Sequence, residues 1–486
     1  MREAGGLGGG VIGELEAALG GSGVSVALAD REAVSHDLWP FALLRDRAGD
    51  PLPPPDAVVW PRDASEVAAV YRACSAAGVP VTPFGAGTGV CGAAIPSRGG
   101  VVLDVKRMAR ILEWDLDSGW VRIQPGILGL ELETAANSRG LSIGHYPSSL
   151  PCSTFGGFLA TRSAGQLSTR YGRIDDRVAG LSVVLPDGTL VELAAQPSAG
   201  AGPDLRRLFL GSEGAFGTIV EATLRLHPLP QARVDGAFLL PGFAEGIGAV
   251  RELMRAGLRP SLLRLYDPDD TALQAHHLGL EWEVTAGGCL LLTSCEGRRR
   301  VAEAEASELG EICGQAGGHP LGAGPVEAWY PRRYSISFQM PRYLPEPGTV
   351  IDTIEVAAPW GRLEAVWSGV RERLATRLFT FCHLSHGYPD GACLYFSFAG
   401  GGEETAAVEL HRHLWREAME AVIAAGGTVA HHHGAGLARA PFLRAELGDG
   451  GIDVLRRLRR ALDPSGIANP GVWEDSLPAT SMRSPT

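Results

Sequence analysis

The sequence predicts an α+β protein with two principal domains, the second built on an antiparallel sheet. Three observations carry that prediction. Residues 57–84 read as strand, helix, strand, and are followed by short strands and turns. From 231 to about 425, amphipathic helical stretches alternate with apolar strands. The length, 486 residues, exceeds what one hydrophobic core ordinarily organises.

The first 55 residues, with the helical stretch GELEAALG and the bridge PLPPPD, read as a lead-in, and the ordered chain is expected to start at DAVVW. AVVW is a short apolar strand. In DASEVAAVYRACSAAG, Asp63 stands at the N-cap and Glu66 three residues on, a capping-box pattern. Val67, Val70, Tyr71 and Cys74 then recur at helical spacing until Gly78 stops the helix. VPVTPF is the second strand and runs into a glycine loop. VVLDV and ARILEWDLDSGWVRIQPG read as strands, with DLDSG as the turn. ILGLELETAANSRG is helical and ends on glycine. LSVVLPDGTLVEL, 181–193, sets PDG between two apolar runs and predicts a hairpin. GTIVEATLRLHPLP closes a unit spanning 56–230. In the second unit, 231–425, FAEGIGAVRELMRAG, LEAVWSGVRERLATRL and ETAAVELHRHLWREAMEAVIAAGG read as helices, and GGCLLLTSCEG and CLYFSFAG as strands. A closing segment, 426–486, carries TVAHHHGAGLAR.

Composition narrows the function. A net charge of −12 argues against nucleic acid as the main partner, since phosphate binding needs a concentrated basic surface. Lys106 is the one lysine among 43 basic residues, which makes Schiff-base chemistry improbable. No run approaches the ~18 apolar residues of a spanning helix. The opening MREAGGLGGGVIG lacks the basic and apolar regions of a secretory signal. Eight cysteines form no CxxC pair, which suits a reducing compartment, and a cytoplasmic protein is expected.

Three segments rich in glycine and small polar residues stand close to apolar strands: FGAGTGVCGAAI, PSSLPCSTFGGFLATRSAGQLSTRYGRIDDRVAG and GSEGAFGTIVEATLRLHP. The first is GxGxG, preceded by a strand and helix and followed by a loop and strand. That context is wrong for a Rossmann fingerprint, which follows the first strand and opens a helix. Closely spaced amides between strands still form an anion nest. A large planar cofactor bearing phosphates accounts for all three segments.

The order β-α-β, PFGAGTG, STFGGFLATRSAG, YGRIDD, GSEGAFGTIVEATL resembles the FAD-linked oxidases of the vanillyl-alcohol-oxidase type, the PCMH-type fold. Within it, the alkyldihydroxyacetonephosphate synthase branch is most similar, through RLYD at 264–267, YPDGACLYFSF at 388–398, HHHG at 431–434 and LDPSGIANPG. The similarity spans nearly all of the chain from residue 56. It implies a PCMH-type FAD-binding domain and an α+β substrate (cap) domain. The diphosphate is expected against Pro83, Phe84, Gly85, Ala86, Gly87, Thr88 and Gly89. The flavin is expected along Ser148, Ser149, Leu150, Pro151, Cys152, Ser153 and Thr154, and along Thr161, Arg162, Ser163 and Ala164. Glu213, Gly214, Ala215, Phe216, Gly217, Thr218 and Ile219 are expected to complete the site. Some relatives tether the flavin through a histidine in the first loop. This loop has none, so non-covalent FAD is expected, with Cys152 a structural thiol.

The resemblance also places Tyr395 as a catalytic tyrosine, Arg264 as a support of the active site, and Arg342 as the residue that holds a substrate phosphate. Guanidinium groups suit phosphate or carboxylate alike. The triplet His431, His432 and His433 lies far inside the chain, unlike a tag. On an extended segment adjacent side chains point to opposite faces, so the triplet is not expected to converge on a metal ion. Proton transfer remains, because imidazole titrates near neutrality; the sequence does not say which histidine performs it.

Two activities follow from the resemblance. One is exchange of the acyl group of acyl-dihydroxyacetonephosphate for a long-chain alcohol, an ether-lipid reaction without net flavin redox change. The alternative is an FAD-linked dehydrogenase or oxidase of a 2-hydroxy acid or related alcohol. A small-molecule or lipid substrate is expected, and the resemblance leaves room for peripheral membrane contact and a homodimer. Cys152 and His383 depart from the branch, standing where an aromatic residue and an arginine are expected.

Overall fold

The computed structural model describes residues 7–278, 280, 287–335 and 342–473. Three sheets organise them. The first has four strands, in the order Val24–Ser25, Ala57–Val59, Val101–Asp104, Val81–Phe84. The last three run parallel and are valine-rich and buried, as strands covered on both faces must be. The helix Ala64–Ala77 makes the crossover, and Gly78 ends it in a left-handed conformation. Asp63 accepts the amide of Glu66 as its N-cap. The predicted box is only half made: Glu66 takes the amide of Arg62 rather than that of Asp63, because its carboxylate is also gripped by the Arg62 guanidinium.

The second sheet is antiparallel, in the order Ile111–Asp115, Trp120–Ile123, Thr218–Arg225, Val178–Val184, Leu190–Leu193. The predicted hairpin is there, with Val184 paired to Leu190 across the turn. The third sheet has seven antiparallel strands, in the order His319–Gly322, Ala232–Leu240, Cys289–Gly297, Leu262–Tyr266, Phe379–Gly387, Gly391–Gly401, Thr349–Pro359. Helices Phe243–Arg255, Leu363–Leu374 and Ala407–Ala424 bury Leu253, Val366, Val370, Leu414 and Val422 in the same core as Leu384, Leu394 and Phe396 of the sheet. Strand alternation sends the intervening residues to the opposite face. That face becomes the floor of the site.

Two expectations need correction. Residues before 56 are not a loose lead-in. Leu15 and Leu19 sit in the core of the first sheet, Val24–Ser25 adds a strand to it, and Trp39 and Phe41 pack with Ile95 and Leu437. Their apolar positions are scattered among glycines and prolines, and only tertiary partners give them cover. The closing segment also does more than carry histidines. The Val81 amide donates to the Ile467 carbonyl and the Val81 carbonyl accepts the amide of Asn469, so residues 467–469 line the edge of the first sheet. The end of the closing segment, with RSPT, lies outside the described residues.

Candidate active site

One cavity of about 1240 Å³ lies between the glycine-rich segments and the third sheet. All seven residues Pro83–Gly89 line it. Gly87 takes φ +66°, and among the described residues none accepts the amides of Ala86, Gly87, Thr88 or Gly89. Four neighbouring free amides are the donor set a diphosphate needs. Thr88 is held to Ser153 by a 2.6 Å hydroxyl contact, which ties the first glycine segment to the second. A Cβ on Gly214, at φ +82°, would stand 2.8 Å from Pro83 Cγ, so the third segment approaches the first as closely as glycine permits. A cradle of bare amides fits the diphosphate of FAD.

Ser148, Ser149, Cys152, Ser153 and Thr154 line the cavity, as do Thr161, Ser163, Ala164, Glu213, Gly214, Gly217, Thr218 and Ile219. The others expected there do not. Leu150 and Phe216 are drawn into the core behind the second sheet, and Ala215 is fully buried. Arg162 turns away to pair with Asp175, and Pro151 falls outside the lining at the turn after Leu150. Cys152 is half-buried, and burial raises its thiol pKa, which leaves little thiolate.

The third sheet supplies the opposite wall. Across neighbouring strands Tyr266, His383, Tyr395 and Glu355 are register partners, one row of side chains. Tyr395 stacks on His383 with ring centres 5.0 Å apart and donates to Thr353 Oγ1 at 3.1 Å. Burial raises its phenol to about 12, so at neutral pH it is a hydrogen-bond donor. Asp270 Oδ2 lies 3.0 Å from His383 Nδ1, and Arg264 Nη2 lies 2.7 Å from His383 Nε2. That order of charges sets the tautomer: Nδ1–H donates to the carboxylate and Nε2 accepts from the guanidinium. Among the described residues Arg264 Nε is buried without a hydrogen-bond partner, beside the cavity that the residue lines. Arg342 is exposed at the rim, its guanidinium 5.6 Å from the Tyr343 ring centre.

The histidine segment is a bend, not an extended strand, and this overturns the expectation that consecutive imidazoles diverge. The cause is Glu355, fully buried. Its carboxylate accepts the amides of His431, His432 and His433 at 2.6, 3.2 and 2.9 Å. Arg439, also fully buried, donates to it at 2.5 Å. Burial alone would raise the Glu355 pKa. The charge of the Arg439 guanidinium outweighs it and holds the carboxyl well below 4.5. Gathered on one anion, the bend brings His431 Nδ1 and His432 Nδ1 to 2.8 Å. His432 and His433 line the cavity; His431 stands behind them, its Nε2 2.8 Å from the Tyr388 hydroxyl. Burial lowers the pKa of all three, which keeps them neutral and able to take a proton.

A β-bulge between Leu384 and His386 turns His386 to the same side, where Ser168 meets its Nδ1 at 2.7 Å. His386, His431 and His432 each place a ring nitrogen within 4.8 Å of the others. A tetrahedral ion bound to both Nδ1 atoms at ~2.05 Å would hold them about 3.3 Å apart. The two Nδ1 atoms lie closer than that, at 2.8 Å, as a hydrogen-bonded pair.

Two family models match the chain: "FAD binding domain" over residues 55–194, and "FAD linked oxidases, C-terminal domain" over 229–472. The chain belongs to the FAD-linked oxidase family. It is an FAD-dependent enzyme. Within the family it is similar to the alkyldihydroxyacetonephosphate synthase of Dictyostelium discoideum, 30% identical over 462 residues, which cover 88% of this chain and 74% of the relative. A solved alkyldihydroxyacetonephosphate synthase superposes with a TM-score of 0.82 at 26% identity, covering 97% of this chain and 87% of that one. p-Cresol methylhydroxylase shares the fold, with a TM-score of 0.73 at 15% identity over 96% of each chain. The expected PCMH-type α+β architecture is the one found. No helix among the described residues of this FAD-linked oxidase is long and apolar enough to cross a membrane.

The glycine cradle gives a direct test. Gly214→Ala adds a Cβ 2.8 Å from Pro83 Cγ at a left-handed φ, and strains the cradle on both counts. The purified variant is expected to carry less than about half of the wild-type FAD, because ~1–3 kcal/mol of strain is a factor of 5 to 150 in affinity. The ratio of flavin to protein absorbance reads this, and a wild-type ratio would refute it.

Proposed function

We propose that this enzyme exchanges the acyl group of acyl-dihydroxyacetonephosphate for a long-chain alcohol, with FAD held non-covalently. The observation that supports it best is the shape of the cavity. Beyond Tyr395 it continues along the outer ends of three strands, past Ile351, Phe379, Phe381, Phe398 and Ala399. That limb suits an alkyl chain, and a small 2-hydroxy acid would leave it without a ligand. Bound FAD supplies an electron-accepting ring. His432 Nε2 takes the proton beside the substrate carbonyl, the Tyr395 hydroxyl donates to the carbonyl oxygen, and Arg264 and Arg342 hold the anionic end. No histidine lies in Pro83–Gly89 to tether the flavin.

Purified FAD-loaded protein given acyl-dihydroxyacetonephosphate and hexadecanol is expected to release fatty acid and form the ether, both read by mass spectrometry. No ether from fully loaded protein, together with anaerobic bleaching of the flavin by a 2-hydroxy acid, would transfer the assignment to the dehydrogenase.

A further inference from the structure

His432 works in a confined place. The residue is 9% exposed and lines the cavity, and its Nδ1 is committed to His431, which leaves Nε2 as the nitrogen free to meet substrate. A buried imidazole holds an added proton poorly. The groups around it share the difficulty. Glu355 already carries three amides and Arg439, His386 and His433 are themselves buried and part-buried rings, and Tyr395 is assigned as donor to the substrate carbonyl. One contact leads elsewhere. From His432 Nδ1 the line runs 2.8 Å to His431 Nδ1, and from His431 Nε2 2.8 Å to the Tyr388 hydroxyl. Tyr388 is part-exposed at the turn of the hairpin, where Pro389 and Asp390 are exposed. Arg173, Asp175 and Asp176 act on it electrostatically from the segment packed alongside.

We propose that His432, His431 and Tyr388 form a proton wire from the flavin cavity to solvent, with His431 and Tyr388 acting through His432. This rests on the reading of His432 as the base. Before reaction His432 Nδ1–H donates to His431 Nδ1, and His431 Nε2–H donates to the Tyr388 oxygen. Substrate gives its proton to His432 Nε2. The Nδ1 proton of His432 passes to His431 Nδ1, the Nε2 proton of His431 passes to the Tyr388 oxygen, and the original Tyr388 hydroxyl proton goes to water. Each residue ends with the number of protons it began with and no imidazolium persists. The reverse shift returns a proton to the cavity. Two histidines in succession serve the wire because each has one nitrogen for the neighbour before it and one for the neighbour after.

The test uses FAD-loaded protein in D2O with acyl-dihydroxyacetonephosphate and no alcohol. Wild type is expected to wash deuterium into the position beside the carbonyl. Tyr388→Phe keeps the ring and removes the last link, so the abstracted proton returns to the carbon it left. Wash-in is expected to fall at least about tenfold, with flavin content and Tm unchanged. A proton NMR resonance far downfield, for the hydrogen between the two Nδ1 atoms, is expected in wild type and absent in His431→Gln. Undiminished wash-in by folded Tyr388→Phe would overturn the wire, as would a stoichiometric transition metal in the purified protein. Wash-in that survives His432→Ala would instead remove the base assignment on which the wire rests.

Discussion

Replacing Glu355 by alanine is expected to destabilise the fold by about 3–5 kcal/mol, the usual cost of leaving one member of a buried ion pair alone. The partner left behind is Arg439, which is 0% exposed, and three histidine amides lose their acceptor with it. Urea denaturation checks this, through a lower midpoint at unchanged slope. Glu355→Gln refines it. Because the folded protein holds this carboxyl well below 4.5, folding is favoured by its ionisation above that pH, and the benefit fades as pH falls through the folded value. Wild type is therefore expected to lose stability on the acid side, and the glutamine variant to start lower and lose less. Equal acid sensitivity of the two proteins would contradict the assignment of charge.

The second large effect is on turnover. His432→Ala removes the imidazole that opens onto the cavity, and general-base loss of this kind costs ~10²–10⁴ in kcat. Flavin binding is expected to be retained, since the cradle is built by Pro83–Gly89 and the two later glycine segments. A variant that kept its flavin and turned over within about tenfold of wild type would show that His433 or Tyr395 carries the proton instead.

Much of this was legible in the sequence. Period-two alternation in CLYFSFAG already separated the core residues Leu394 and Phe396 from Tyr395 and Ser397, which face the cavity. The glycine segments announced themselves by composition. What escaped was whatever depended on distant partners. Glu355 sits in the apolar run TIEVAAP, where a lone acid was a signal, yet its meaning needs Arg439, 84 residues away. His386 reaches the site through a bulge that no periodicity marks. Consecutive histidines take opposite faces only on an extended backbone, and the buried carboxylate of Glu355 bends this one. Trp39 and Phe41 lacked a pattern because their neighbours Ile95 and Leu437 come from elsewhere in the chain.

The backbone bonds between Val81 and residues 467–469 bear on biosynthesis. Asn469 also donates to the Glu213 carbonyl, 256 residues back along the chain, so the pocket wall is sealed only once residues 467–469 have been translated. Cofactor loading then belongs after translation of that stretch, and nascent chains halted upstream of it should emerge as apoprotein.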